Sequence, residues 1–282
     1  MAYFEYKAKQ DDNSKESKEV KKLYYEVHGE GKPLVLLNGL MMSTLSWKIF
    51  VEPLSANNKL VLLDFFDQGQ SDRMAEYNQD LQVEALKALL DYLELDKVAL
   101  VGISYGGNVA LKFTVAHPSY VDRLIVFNAA AKTGEYLKEI GQSWIMAKDN
   151  PTQFYSTTIP IIYSSDFYNG RTQWMSDRKE ILINHVFNNA FFMEGIVRLI
   201  KSAEDYDVEE RLGEIVAKTL IVASEYDPIT PFTEQKLLHK GIKNSELILL
   251  PNCGHASMYE KPALFVTLIL GFANSALEGV EI

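Results

Sequence analysis

Six short apolar runs constrain the fold of this chain more than any other feature. They are LVLLN (34–38), LVLLD (60–64), VALVG (98–102), LIVFN (124–128), TLIVAS (219–224) and ELILLP (246–251). Continuous runs of Val, Leu and Ile this short are the mark of parallel strands covered on both faces. Helical patterns separate several of them. Leu81 to Leu93 repeats its apolar positions close to a 3.6-residue period. Asn108 to Ala116 continues from a glycine turn and should stop before Pro118. Strands alternating with helices imply an α/β sheet with helices on both faces. Two earlier strands, 3–9 and 23–28, are expected before it, joined by the polar loop DDNSKESKEVKK and followed by a Gly29-Glu30-Gly31 turn.

One stretch breaks the alternation. Residues 131–206 hold 12 of the 32 aromatic residues and no convincing buried strand. Helices are expected at 135–147, from Pro151, at 176–192 and at 193–205. A simple crossover needs one helix, so this segment reads as a cap inserted over one edge of the sheet. The domain division is then a core of 1–130 and 207–282 with a helical cap at 131–206.

GISYGG (102–107) follows the third run and opens a helix. G-x-S-x-G in that setting is a nucleophile elbow, which pushes the Ser104 hydroxyl out of the sheet. Gly102 and Gly106 are required because a Cβ there would strike the neighbouring strand or helix. A serine hydroxyl needs a base, and the base an orienting acid. Of the five histidines, His28, His117, His185 and His239 read as surface or packing residues. His255, in NCGHAS just beyond the last run, stands where a base on a strand-end loop belongs. Asp227 follows TLIVAS in the loop SEYDPITP, with Glu225 as its main rival; Asp205 and Asp207 precede that strand, at its wrong end. Ser104, Asp227 and His255 each follow a strand, and parallel strands put those ends on one side. Oxyanion donors are expected at the Tyr105 amide and at the turn NGLM (38–41), from Leu40 or, failing that, Met41. Asn38, Met41, Trp144 and Trp174 are candidate substrate contacts.

These motifs resemble the α/β-hydrolase superfamily over nearly the whole chain, from LVLLNG through DFFDQGQSD, GISYGG and SEYD to NCGH. The resemblance implies the α/β-hydrolase fold: an eight-stranded, mostly parallel sheet with strand 2 antiparallel, helices on both faces and an inserted helical cap after strand 6. Two positions depart from the usual pattern. Asn38-Gly39 replaces His-Gly, and the D-x-R-G-x-G-x-S loop carries Phe66 and Asp67 at its Arg and first Gly positions. Aspartate tolerates the left-handed backbone expected at that glycine position. More locally, the chain is similar to the acyltransferases that build hydroxyalkanoyloxy-alkanoate lipids for rhamnolipid synthesis.

The expected activity is a cofactor-free serine hydrolase acting on an apolar small-molecule acyl ester or thioester. Acyl transfer to a hydroxyacyl lipid and non-catalytic ligand reception on the same fold are its competitors. Carbon–carbon bond hydrolysis and perhydrolysis use the same triad, whereas dehalogenases and epoxide hydrolases need aspartate at the elbow. The net charge of −10 disfavours nucleic acid and anionic lipid as partners. A single cysteine, Cys253, excludes an internal disulfide and reads as a small buried residue. The longest uncharged run, 262–277, is too short for a membrane span of about 20 residues. A cytoplasmic protein without signal peptide is expected; the oligomeric state is open.

Overall fold

The computed structural model describes residues 2–7, 20–75 and 77–275. Eight strands form one sheet: β1 (Ala2–Lys7), β2 (Val20–His28), β3 (Lys32–Leu37), β4 (Asn58–Leu63), β5 (Val98–Ile103), β6 (Val121–Phe127), β7 (Lys218–Ser224) and β8 (Ser245–Leu250). Their order is β1-β2-β4-β3-β5-β6-β7-β8. β2 is antiparallel to both its neighbours, and every other pair is parallel. The first strand ends at Lys7; residues 8 and 9 of the expected strand, and 11–19 of the expected loop, lie outside the described residues, while Val20–Lys22 belong to β2.

The helices are α1 (Val51–Ser55), α2 (Gln79–Tyr92), α3 (Tyr105–Ala116), α4 (Glu135–Met146), α5 (Pro151–Ile162), α6 (Ser165–Gly170), α7 (Thr172–Ile181), α8 (Ala190–Ser202), α9 (Phe232–Gly241), α10 (Ser257–Glu260) and α11 (Pro262–Ala273). The period-2 geometry of the strands sorts the apolar runs into two cores. Val35, Leu37, Val61, Leu63, Leu100 and Val126 pack on one face with Leu86 and Leu89 of α2 and Val109 and Phe113 of α3. Leu34, Leu36, Leu60, Leu62, Val101, Ile125 and Phe127 pack on the other with Leu54 of α1 and Phe265 and Ile269 of α11. Both faces are covered, so strands β3 to β7 need apolar residues at consecutive positions. A fully buried leucine contributes about 1.5–3 kcal/mol, and only two-sided burial lets adjacent residues both contribute. The run 262–277 is accounted for as far as α11; among the described residues no helix is long and apolar enough to cross a membrane.

β3 and β5 are neighbours, and the chain leaves β3 towards β4 on one side and β5 towards β6 on the other. Such a reversal opens a crevice at the carboxyl ends of the two diverging strands. Leu40 follows β3 and Ser104 follows β5 at that crevice.

Residues 128–217 contribute no strand to the sheet and carry α4 to α8. The single helix expected over 176–192 is not continuous. α7 passes into a π-helical turn, Leu182–Phe187, and a new helix starts at Ala190. The break is made by Asn189, whose side chain accepts hydrogen bonds from the Phe191 and Phe192 amides at 3.0 and 3.2 Å. Asparagine competes for backbone donors in this way and so favours helix starts over interiors. The short helix α6, absent from the sequence expectation, is capped by Ser164 Oγ, which accepts from the Phe167 amide at 3.2 Å. Asp67 adopts φ 70°, as the motif departure requires.

Candidate active site

Ser104 joins β5 to α3 with φ 52° and ψ −120°, outside the main allowed regions for a residue with a side chain. A strained conformation of this kind costs about 1–3 kcal/mol and persists only when its surroundings hold it. Here the Ser104 amide donates to Phe127 O at 2.9 Å and the Ser104 carbonyl accepts from Asn108 N at 3.0 Å. The flanking glycines have no room for a side chain. A Cβ on Gly102 would lie 2.3 Å from Gly106 O, and one on Gly106 would lie 2.5 Å from Asn38 O.

His255 and Asp227 meet across the loops after β8 and β7. His255 Nδ1 is 2.7 Å from Asp227 Oδ2. Asp227 is buried, and its remaining acceptor capacity is filled: Oδ1 accepts from the Ile229 and Thr230 amides at 2.8 and 3.1 Å, and Oδ2 from Thr230 Oγ1 at 2.7 Å. An ionised carboxylate can only accept, so the imidazole carries its proton on Nδ1 and leaves Nε2 free as a base. The rival acid is engaged elsewhere: Glu225 Oε2 accepts from the Asn252 amide at 2.8 Å. Asp207 takes the Glu209 amide at 2.9 Å. The histidine loop is tied down by Asn128, whose Nδ2 donates to His255 O at 2.8 Å and to Ser224 Oγ at 3.1 Å. Asn128 has φ 49°, a left-handed conformation that asparagine tolerates.

Ser104, Tyr105, Leu40, Met41, Trp144 and His255 line one cavity of about 190 Å³, with further walls from α4, α5 and α7. The Tyr105 amide is the first of α3, one of the four that lack a partner within the helix. Its phenol is buried against Ser202 Oγ at 2.9 Å, and burial holds it well above the ordinary tyrosine pKa, so it has a packing role. The turn after β3 is clamped by Gln68, whose Nε2 donates to Gly39 O at 2.9 Å and Leu40 O at 3.3 Å. Those carbonyls are thereby turned to Gln68, and Leu40 itself stays at the cavity wall.

Two expected substrate contacts are not in the cavity. Asn38 is completely buried: Nδ2 donates to Leu63 O at 2.8 Å and Gln68 Oε1 at 3.0 Å, and Oδ1 accepts from Trp47 Nε1 at 2.6 Å. With both donors and the acceptor used, its side chain has nothing to offer a substrate. Trp174 is 38% exposed and stands behind the wall, packed edge-on against Tyr163 and Phe167 at 5.9 and 5.5 Å. Sequence reasoning missed Gln68 and Asn128, although the first lies inside and the second at the end of a motif already singled out. It also missed Tyr163 and Arg178, which line the cavity from the helical segment.

The other four histidines are not on the cavity wall, and three of them have partners elsewhere. His28 pairs with Glu26 at 2.8 Å, His117 faces Glu84 at 3.5 Å, and His239 bonds Ser245 Oγ at 2.9 Å. Cys253 is buried, and burial pushes its thiol up to about 12. Among the described residues no group of three or more His, Cys, Asp or Glu side chains could hold a metal ion.

Comparison with known proteins agrees with this architecture. The family model described as alpha/beta hydrolase fold matches residues 32–262. An AB hydrolase superfamily protein of Bacillus subtilis is 28% identical over 262 residues, covering 90% of this chain and 96% of its own. A 2-hydroxy-6-oxononadienedioate/2-hydroxy-6-oxononatrienedioate hydrolase of Escherichia coli K12 is 27% identical over 270 residues, covering 92% and 93%. Among solved structures, an alpha/beta hydrolase enzyme from a Medee basin deep-sea metagenome library has 44% identity and a TM-score of 0.91, covering 93% of this chain and 98% of that one. An enol-lactonase from Burkholderia xenovorans, at 18% identity and a TM-score of 0.81 with coverage of 90% and 97%, shares the fold.

Proposed function

Because the chain belongs to the alpha/beta hydrolase family, we propose that it is a serine hydrolase in which Ser104, His255 and Asp227 cleave an apolar acyl ester or thioester. Relatives named as hydrolases support hydrolysis as the reaction class. The observation that carries the finer reading is the 2.7 Å bond from His255 to the fully engaged Asp227, with His255 on the same cavity wall as the strained Ser104 turn.

In the first step Ser104 Oγ attacks the acyl carbon while His255 Nε2 takes its proton. The Tyr105 and Leu40 amides bind the oxyanion. Fixed donors of this kind need no reorganisation as charge develops. The carbon–oxygen or carbon–sulfur bond then breaks, and the proton on His255 passes to the leaving group. Water attacks the acyl-enzyme by the same route in reverse, giving its proton to His255 and releasing the acid and Ser104. Asp227 holds the imidazole tautomer and stabilises the imidazolium in both halves.

Residues 131–206 act in this reading as a cap that sets specificity. Leu137, Ile140, Ile159, Ile162, Leu182 and Val186 give the cavity apolar walls, which suits a hydrocarbon acyl chain. The test is labelling by a fluorophosphonate probe together with hydrolysis of nitrophenyl esters and acyl thioesters of graded chain length. The native protein is expected to be labelled and Ser104→Ala to lose both label and turnover while remaining folded. Near-normal hydrolysis by folded Ser104→Ala overturns the assignment.

A further inference from the structure

The cavity wall contributed by the helical segment is not uniformly apolar. Tyr163, just after α5, is 4% exposed, and its hydroxyl has no hydrogen-bond partner among the described residues. Arg178 of α7 lines the same cavity, and its Nε is enclosed and equally without an acceptor. The two belong to one cluster. The Arg178 guanidinium lies 5.2 Å from the ring centroid of Trp174 and 4.8 Å from that of Tyr259. Tyr163 stands edge-on to the same Trp174 at 5.9 Å. The aromatic platform therefore fixes a cation and a hydroxyl beside each other, on two residues that line the chamber containing Ser104 and His255.

Nearby carboxylates do not serve these donors. Glu260 Oε1 accepts from the Ser164 and Gly254 amides at 2.8 and 3.1 Å, and its Oε2 from Ser164 Oγ at 2.5 Å. Glu204, also on the cavity wall, accepts from Gln142 Nε2 at 3.2 Å. The other cation of the wall, Lys138, is already paired with Glu135 at 3.1 Å. Buried polar groups are almost always bonded, so unpaired donors on a cavity wall mark where a ligand supplies the acceptor. A guanidinium stays protonated at any working pH, and its planar N–H edge matches a carboxylate. A neutral carbonyl could satisfy Tyr163 but would leave the arginine without a counter-ion.

We propose that the acyl substrate carries a free carboxylate, remote from the scissile carbonyl, bound by the Arg178 guanidinium beside the Tyr163 hydroxyl. This rests on the serine-hydrolase reading of the site. The substrate class is then a half-ester or half-thioester of a dicarboxylic acid, with an apolar stem crossing the chamber.

Nitrophenyl half-esters of succinate, glutarate, adipate and suberate, compared at pH 8 with nitrophenyl esters of neutral acids of equal length, test the proposal. The native protein is expected to favour the charged ester about tenfold or more in kcat/KM at one or more lengths, chiefly through KM. Arg178→Met, checked for folding by circular dichroism, should bring that ratio to about one, and Tyr163→Phe to an intermediate value. Preference for the neutral ester at every length, or an unchanged ratio in folded Arg178→Met, overturns the proposal. Calorimetric titration of Ser104→Ala with the four free dicarboxylates needs no turnover, so it separates this proposal from the nucleophile assignment. Binding that disappears in Ser104→Ala/Arg178→Met supports the carboxylate site even if Ser104 proves not to be the nucleophile; absence of binding for all four diacids counts against the site alone.

Discussion

Asn38→Leu tests whether the residue in the family's usual histidine position supports the site from behind or touches substrate. Leucine has a similar outline but removes three hydrogen bonds. It leaves the fully buried Trp47 indole N–H, Leu63 O and part of the Gln68 amide without their partner. Each buried group left unsatisfied costs about 1–3 kcal/mol. Gln68 Oε1 keeps a long contact from the Phe65 amide at 3.4 Å, so its share is small. The expected total is about 3–5 kcal/mol, or a fall of roughly 6–15 °C in melting temperature for a chain of this size. Urea unfolding followed by circular dichroism measures it. Trp47→Phe in the Asn38→Leu background removes the orphaned indole donor, so the double variant should be more stable than the sum of the singles by about 1–2 kcal/mol. Activity should fall with stability because Gln68 loses its anchor and the Leu40 turn loosens, bounded by the roughly 100- to 1,000-fold of a lost oxyanion donor. That loss should appear in kcat. A variant as stable as the native protein, with the loss confined to KM, would refute the supporting role.

Three further outcomes are expected. Asp227→Asn should lower kcat by about 10⁴, as when the orienting acid of a triad is neutralised, while Glu225→Gln, whose carboxylate accepts from the Asn252 amide, should change it by less than about threefold; steady-state kinetics decide, and the reverse ranking names the wrong acid. Trp144→Ala enlarges the cavity wall and should shift acyl-chain preference towards longer esters in a chain-length panel, with labelling of Ser104 retained. Cys253, its thiol pushed up to about 12 by burial, should resist iodoacetamide at pH 8 in the native protein and react once unfolded. Because the unfolded thiol titrates near its ordinary value of about 8.5, the unfolded state binds fewer protons above that pH, and this group makes stability fall as pH rises from about 9 to 12.

The sheet was legible because of its two-sided burial. β3 to β7 hold consecutive apolar residues that no surface strand would carry, and the crevice residues follow from where those runs end. The same logic placed Ser104, Asp227 and His255 at strand ends, with Asp227 chosen as the acid and Glu225 left as its main rival. Two residues apart in one loop, they differ in what the loop's fold lets them reach: Asp227 meets His255 and Thr230, and Glu225 the Asn252 amide. Helix boundaries in the segment after β6 were harder, because apolar periodicity there continues through the Asn188-Asn189 break. Trp174 and Arg178 show the limit of reading aromatics by composition: the tryptophan expected in the pocket is the platform, and the polar residue on the same helix is what faces the cavity.

The two departures from the family's usual motifs looked independent because Asn38 and the loop after Asp64 are far apart in sequence. They form one unit in the fold. Asn38 Nδ2 donates to Gln68 Oε1 at 3.0 Å, and Gln68 Nε2 returns to the Gly39 and Leu40 carbonyls. Asp67, next to Gln68, takes the left-handed conformation that lets the loop turn, and its carboxylate is held by Arg198 of α8 through Nε at 2.9 Å and Nη2 at 2.8 Å. Gly195 of the same helix packs so closely on this loop that a Cβ there would lie 2.6 Å from Asp67 O. The loop therefore couples the helical segment to the turn that carries the Leu40 amide. A change on α8 that moves Asp67 acts on the turn after β3 through Gln68, without touching Ser104, His255 or Asp227. Restoring a histidine at position 38 alone would not restore the usual arrangement, since an imidazole cannot make the two donor bonds and the acceptor bond that Trp47, Leu63 and Gln68 require.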